Sequence, residues 1–140
     1  MSNVPALSAD AAGGIVDASR RRAAALGTAA CISVVDAGGS PVALLRLDGA
    51  SFLTATVATN KAVAAAGLGV PTAEFATFAA ADPALLAGMA NQPNVAVFPG
   101  GVPLLAGGAI AGAVGVAGGR TAEEDVSIAE AGAAAFAAVG

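Results

Sequence analysis

Residues 34–50 read VVDAGGSPVALLRLDGA, and this stretch decides the fold because it predicts a β-hairpin. Two apolar runs, Ala30–Asp36 and Pro41–Leu47, flank the turn-forming residues 37–40, which read AGGS. Pro41 is compatible with the second strand, since a proline at the first strand position removes only one ladder donor. An Arg-x-Asp-Gly sequence at 46–49 follows, so we expect charged side chains at the end of this strand pair.

Working outward, the same kinds of signal predict five helices and three further strands. The predicted helices are Ser8–Leu26, Ser51–Ala66, Thr72–Ala80, Pro83–Met89 and Ala122–Val139, the last packing through Ile128, Ala135, Phe136 and Val139. The predicted strands are Val95–Val97, Val102–Ala106 and Ala109–Ala117. This order predicts an α+β fold with a mainly antiparallel, five-stranded sheet covered by helices, in a single domain of residues 1–140.

Several helix ends carry capping residues. Ser8 and Ser51 are predicted N-caps, and Gly27 and Gly67 are predicted C-terminal stops. The sequence from Thr121 to Glu124 is typical of a capping box, in which each side chain bonds the other residue's backbone N–H.

The composition predicts a core of small side chains in close backbone contact. Hydrophobic residues make up 56% of the chain, most of them alanine, whereas aromatic residues make up 4%. The net charge is −4, and the single basic run, Arg20–Arg22, is too short to form a nucleic-acid surface. The uncharged stretch 101–119 contains seven glycines and a proline, which favours strands over a membrane helix. Residues 1–5 do not resemble a secretory signal, so we expect a cytoplasmic protein.

Missing residue types exclude several kinds of site. Without histidine there is no Ser-His-Asp triad, no usual zinc site and no histidine-ligated haem. Cys31 is the only cysteine, which excludes an internal disulfide, and its apolar surroundings predict a buried thiol. Helix capping explains the acids at 123–125 better than a metal site does, so we expect no bound metal.

The strongest candidate site combines Arg46, Asp48 and Lys61. If Arg46 ends a strand and Lys61 lies well inside the next helix, a guanidinium and an ammonium face one small anionic ligand. In the alternative, Arg46 pairs with Asp36 or Asp48 and fixes the hairpin. No acidic residue lies four positions from Lys61, so nothing local explains that charge.

A second candidate is the glycine pair Gly100-Gly101, which lies between Pro99 and Pro103. Adjacent glycines can turn two backbone N–H groups toward a bound oxygen. The alternative is a tight turn that leads into a strand. Glycines further along, at 112 and 115, predict a close approach of another backbone or a ligand.

Together these segments resemble the GlcG/HbpS family (DUF336-type), which includes the C-terminal domain of PduO proteins. The matching stretches are Val34-Val35-Asp36 with Gly38, Arg46-Leu47-Asp48-Gly49-Ala50, Lys61-Ala62, Pro71-Thr72, Pro99-Gly100-Gly101-Val102-Pro103-Leu104, residues 112–119 (GAVGVAGG), Glu124-Asp125 and Ala129. The resemblance implies a profilin-like domain that assembles into homo-oligomers, dimers or octamers, with haem bound or degraded by some members. Because this chain lacks histidine, we expect no cofactor; Met89, Cys31 or a surface carboxylate are the remaining haem ligands.

These observations favour two functions, and the family resemblance adds haem binding or degradation as a third. In the first, an oligomeric protein holds a small anionic or oxygenated metabolite of a catabolic pathway between Arg46, Lys61 and the amides of Gly100 and Gly101. In the second, a small cofactor-independent lyase, isomerase or hydratase uses Arg46 and Lys61 to hold a carboxylate, while Asp48 or Glu124 moves a proton. Its expected partners are further copies of itself and a small molecule, with no nucleic acid and no membrane.

Overall fold

A computed structural model describes residues 6–139, with Val139 described by its backbone only. The helices are α1 Ala9–Leu26, α2 Leu53–Leu68, α3 Thr72–Ala80, α4 Pro83–Ala90 and α5 Ala122–Val139. The strands are β1 Cys31–Asp36, β2 Pro41–Arg46, β3 Gly101–Ala106 and β4 Ala109–Ala117. The predicted packing of the Val139 side chain lies outside the described residues.

The strands form one antiparallel sheet in the order β2-β1-β4-β3. The central strand β1 places Cys31 between Arg46 of β2 and Ala117 of β4. The predicted hairpin at 34–50 is therefore confirmed, and so is the α+β fold with an antiparallel sheet.

The fifth predicted strand, Val95–Val97, is wrong, and the sheet of the described residues has four strands. In this segment the N–H of Ala96 donates to the carbonyl of Asn60 in α2, at 3.2 Å, instead of joining a strand ladder. Pro93 and Pro99 flank the segment, and a proline has no N–H to donate to a ladder. The segment consequently connects α4 to β3 and lies against α2.

Helices cover both faces of the sheet. Successive side chains along a strand point to opposite faces, and consecutive residues of β1 and β4 are buried, so both faces need cover. Ile32 and Val34 of β1 pack in one apolar cluster with residues of α1 and α5. Cys31 and Val35, with the opposite strand parity, pack in smaller clusters with alanines of α2. The result is three layers, with the sheet between α2 and the α1–α5 pair.

The ends of α1 confirm the sequence prediction, but those of α2 do not. Ser8 accepts a hydrogen bond from the N–H of Ala11 at 3.0 Å, and Gly27 ends α1 in the left-handed conformation. In contrast, α2 begins after Phe52 and continues through Gly67 to Gly69, whose φ of 74° ends it. The predicted cap Ser51 contributes its backbone carbonyl, which accepts from the Thr54 hydroxyl at 2.6 Å.

Among the described residues, no single helix has the length and apolarity needed to cross a membrane. Only α2 and α3 taken together pass that criterion, and they are bent by 77° relative to each other.

Candidate functional site

Lys61 is the largest fully buried side chain among the described residues, with 1% of its surface exposed. Its Nζ donates to the backbone carbonyl of Val116 at 2.8 Å and to Oδ2 of Asp125 at 3.1 Å. The ammonium therefore joins the middle of α2 to the end of β4 and to the first turn of α5.

Asp125 is buried as well, and both of its carboxylate oxygens are hydrogen-bonded. Oδ2 accepts from Lys61, and Oδ1 accepts from the N–H of Gly119 at 2.8 Å. Burial lowers the pKa of the Lys61 ammonium because desolvation disfavours the charged form, while the Asp125 carboxylate opposes this shift. Lys61 is thus held as one half of a buried ion pair.

The glycine pair makes room for this lysine. Gly100 has a φ of 131°, which side-chain-bearing residues rarely adopt, and a Cβ there would lie 2.9 Å from the lysine Nζ. A Cβ on Gly101 would overlap the backbone carbonyl of Lys61. The structure therefore brings Lys61, Gly100 and Gly101 together.

The amide of Gly101 already has a partner inside the protein. It donates to the hydroxyl of Thr72, the first residue of α3, at 2.9 Å, and Thr72 is fully buried. The carbonyl of Gly100 accepts from the N–H of Val116 at 2.9 Å. The glycine pair therefore anchors the start of β3, which corresponds to the turn-and-strand alternative considered for this motif.

Phe98 covers the ammonium on its remaining side. The centre of its ring lies 4.7 Å from the lysine Nζ, within the range of a cation–π interaction, and the side chain is 52% exposed. An ammonium has three N–H donors, and within residues 6–139 only the two hydrogen bonds to Val116 and Asp125 are found. The third donor direction is left to the ring.

Phe98 also lines an apolar groove of about 380 Å³. The groove lies between α3, α4 and the connection to β3, and its lining residues are Ala76, Ala80, Leu86, Met89, Ala90 and residues 95–98. None of these side chains carries a charge. Because α4 contributes no buried residue to the core, its apolar side chains are available to this groove.

Arg46 and Asp48, by contrast, make no contact with this site that the structure records. Both are exposed, Arg46 at the end of β2 and Asp48 on the connection to α2. Within residues 6–139, the side chain of Arg46 has no hydrogen bond or ion pair, so its expected pairing with Asp36 or Asp48 is not found either. Asp36 instead accepts from the N–H groups of Gly38 and Ser40, each at 3.0 Å.

Glu124 lies next to Asp125 in sequence but has different partners. It forms an ion pair with Arg120 at 2.7 Å and accepts from the Thr28 hydroxyl at 2.9 Å. The hydrogen bonds from Arg120 are the main reason that the pKa of Glu124 is lowered to about 2. The N–H of Glu124 bonds Thr121 as the capping box predicts, but its carboxylate bonds the N–H of Arg120 instead of that of Thr121. The catalytic roles assigned to Lys61, Asp48 and Glu124 stay predictions.

Sequence reasoning did not assign three residues to the site: Asp125 and Phe98, which contact the Lys61 ammonium, and Thr72, which accepts from the N–H of Gly101. The signal for Asp125 was present, because it precedes the buried residues Ile128 and Ala129 by three and four positions and so shares their helix face. Phe98 and Thr72 had no local signal, since their roles depend on tertiary contacts. Cys31, expected to be buried, is fully buried, and this burial raises the pKa of its thiol.

Comparison with known protein families and structures assigns this α+β chain to a family. The family described as "Haem degrading protein HbpS-like" matches residues 7–134, and the chain therefore belongs to this HbpS-like family. The resemblance to the GlcG/HbpS family is confirmed.

Particular relatives support this assignment. An uncharacterized 15.0 kDa protein in the dhaT-dhaS intergenic region of Citrobacter freundii is 40% identical over 100 residues, covering 70% of this chain and 69% of that protein. The Klebsiella pneumoniae protein ORFY, a DUF336 protein, superimposes with a TM-score of 0.91 at 30% identity, covering 100% of this chain and 97% of that chain. A double mutant of Streptomyces reticuli HbpS gives 0.87 at 32% identity (96% and 89% coverage), and a PduOC:heme complex gives 0.85 at 29% (94% and 95%).

Proposed function

We propose that this protein binds a small, oxygen-containing organic molecule, with the apolar body of the ligand in the groove and an oxygen atom hydrogen-bonded to Lys61. One observation carries the proposal: Phe98 lines the groove, and its ring lies 4.7 Å from the lysine Nζ. Small-molecule sites are usually apolar clefts with a few polar groups that fix the ligand's orientation, and here Lys61 lies behind the Phe98 ring.

The size and chemistry of the groove support this ligand class. Its volume of about 380 Å³ falls within the range of known ligand pockets, and its lining provides van der Waals contact without charge. The groove therefore suits an apolar body such as a short alkyl chain or a single ring.

The Lys61 ammonium would orient the ligand by a hydrogen bond to its oxygen. Its Nζ lies 4.7 Å from the centre of the Phe98 ring, and that ring is half exposed and belongs to a connection without regular secondary structure. Rotation of the ring away from Nζ opens this donor to a ligand oxygen. A hydrogen bond made there is strengthened because the surrounding protein has a low effective dielectric constant.

Native mass spectrometry of the protein purified gently from its host tests the proposal first, since a bound ligand adds its own mass. Affinity for that ligand is then measured calorimetrically in Phe98→Ala and Met89→Lys, which alter the groove. We expect Met89→Lys to weaken binding at least tenfold, because it places a charge among apolar walls. Phe78→Ala is the matched control, since Phe78 is exposed on α3 and does not line the groove. Equal affinity in all three variants would contradict this location of the site.

Haem is a second candidate ligand, favoured by the thioether of Met89 in the groove and by similarity to HbpS and to PduOC, whose structure is a heme complex. The groove has an apolar lining and offers one sulfur ligand, whereas the sequence has no histidine and Cys31 is fully buried. Bound haem would supply redox-active iron, and Met89 would hold it. A haem titration should give a saturating Soret shift that Met89→Ala abolishes; a shift unchanged in that variant would exclude Met89 as the ligand.

We also propose that the protein forms homo-oligomers through the β2–α2 surface, defined by Leu44, Phe52 and Leu53. These three large apolar side chains are exposed, Phe52 by 81%. The same surface includes β2, an edge strand of the described sheet, whose backbone groups are available for pairing. A second copy of the chain that covers this surface buries the exposed apolar side chains and shields the edge strand.

A further inference from the structure

The charge balance around Lys61 narrows the class of ligand. The polar groups that contact its Nζ are one neutral carbonyl, that of Val116, and one carboxylate, that of Asp125. The Lys61–Asp125 pair is therefore neutral as a unit. The groove adds no charge, because all of its lining side chains are uncharged.

Charges close to the pair do not alter this balance. Glu124 is matched by Arg120 at 2.7 Å. Glu123, in the same first turn of α5, is negative and offsets the positive end of the helix dipole. No positive side chain other than Lys61 is within hydrogen-bond distance of Asp125 in the described part of the chain.

An anionic ligand oxygen would have to share the ammonium with Asp125. Oδ2 of Asp125 already lies 3.1 Å from Nζ, so a second carboxylate on the same nitrogen would lie close to the first. Two carboxylates beside one ammonium leave one negative charge uncompensated, which is costly where water is excluded. A neutral carbonyl oxygen accepts the same N–H without that cost.

We infer that the ligand presents a neutral carbonyl group, as in a ketone, aldehyde, amide or ester, to Lys61. This inference rests on the proposed function and specifies it: the ligand is an uncharged carbonyl compound with an apolar body, and not a carboxylate. The carbonyl is polarised by the ammonium, and the apolar body fills the groove beside Met89.

Matched compounds test the inference directly on the wild-type protein. Two series differ only in the head group: phenylacetate, phenylacetamide and phenylacetone, and hexanoate, hexanamide and 2-heptanone. Dissociation constants are measured by ligand-observed NMR at pH 7 and constant ionic strength. We expect the amide and the ketone to bind at least about tenfold more tightly than the carboxylate of the same series. Equal or tighter binding of the carboxylates would overturn the inference.

Asp125→Asn provides an independent test. The asparagine carbonyl can still accept from Gly119, but the site loses its carboxylate, so a ligand carboxylate no longer competes with Asp125 for Lys61. The preference should then shift toward the carboxylate in each series. If this variant does not fold, the wild-type comparison alone decides; if it folds and the preference is unchanged, Asp125 does not set the ligand charge and the inference is wrong.

Failure of the inference and failure of the proposed function give different results. Binding that favours carboxylates and changes in affinity, in either direction, in Met89→Lys keeps the groove as the site and rejects the neutral carbonyl. If Met89→Lys does not affect the binding of any compound, or if none binds, the groove site and the inference are both rejected.

Discussion

At the scale of single residues, Lys61 and Asp125 depend on each other. Each charge lost most of its hydration on burial, and the interaction between them compensates for that loss. Replacing such a pair by neutral groups often has little net effect on stability, whereas removing one partner leaves a buried charge uncompensated.

We therefore expect Lys61→Met to lower the free energy of unfolding by about 3 to 5 kcal/mol. The double variant Lys61→Met with Asp125→Asn should recover part of this loss, since no buried charge remains. Urea denaturation of the wild type, both single variants and the double variant measures the coupling. A double variant less stable than Lys61→Met would show that the pair does not act as a charge-compensated unit.

The lowered pKa of Glu124 leads us to expect that the stability of the protein depends on pH. Its pKa in the folded protein is about 2, below its ordinary value of 4.5, so the folded state favours the ionised carboxylate. Its contribution is therefore fully present above about pH 4.5 and is lost as the pH falls toward 2. The difference in unfolding free energy between wild type and Glu124→Gln should shrink over this window. A difference that stays constant from pH 6 to pH 2 would argue against the ion pair with Arg120 in solution.

At the scale of elements, α2 packs on β4 with backbone-to-backbone contact. A Cβ on Gly115 would overlap the carbonyl of Ala58 and lie 2.7 Å from the backbone nitrogen of Ala62. The glycine in β4 and the alanines in α2 thus set the distance between helix and sheet, and this distance allows Lys61 to reach Val116.

Gly115→Ala should destabilise the protein by about 1 to 3 kcal/mol, because neither backbone can move away without disturbing its own hydrogen bonds. Gly67→Ala is a matched control in the same helix–sheet unit. It is exposed within α2 with nothing within 4 Å of its Cβ position, so it should stabilise the helix by up to about 1 kcal/mol. Thermal unfolding of both variants tests this, and equal effects would mean that packing at Gly115 is loose.

Element positions were largely predictable from the sequence, because their signals are local. The bounds of α3, β4 and α5 agree with the prediction, since prolines, glycine turns and a capping box mark them. The prediction of a strand at 95–97 was wrong because an apolar triplet fits a strand or a packed connection equally well. Gly67 was wrong as a stop because a glycine two positions later takes the left-handed conformation.

The candidate site was predictable only in part. Lys61 was identified because it is the only lysine and has no local partner, and the glycine pair because it lies between two prolines. The partner of Lys61 lies 64 residues away, and no local spacing reports a contact across that distance. Arg46 was grouped with Lys61 on nearness along the chain, but β2 lies at the sheet edge, two strands from β4.

At the scale of the whole molecule, exposed apolar surface predicts self-association. We expect the wild type to have a multiple of the mass of one chain at micromolar concentration, measured by size-exclusion chromatography with light scattering. Phe52→Ser combined with Leu53→Ser should reduce this mass, because both changes remove apolar contact area from the β2–α2 surface. Phe78→Ser, an equally polar change on α3, should leave the mass unchanged. A monomeric wild type would contradict the proposal.

Because Phe98 lies over Lys61, a tryptophan at position 98 would report on the site by its fluorescence. The chain has five phenylalanines but neither tryptophan nor tyrosine, so it emits almost no fluorescence when excited at the long ultraviolet wavelengths that tryptophan absorbs. Phe98→Trp would introduce its sole indole at the mouth of the groove, above a buried cation. The emission of that indole should change in wavelength and intensity when a ligand displaces the ring, with no background from elsewhere in the protein. An emission spectrum that does not change at saturating ligand would show that the ring stays in place on binding.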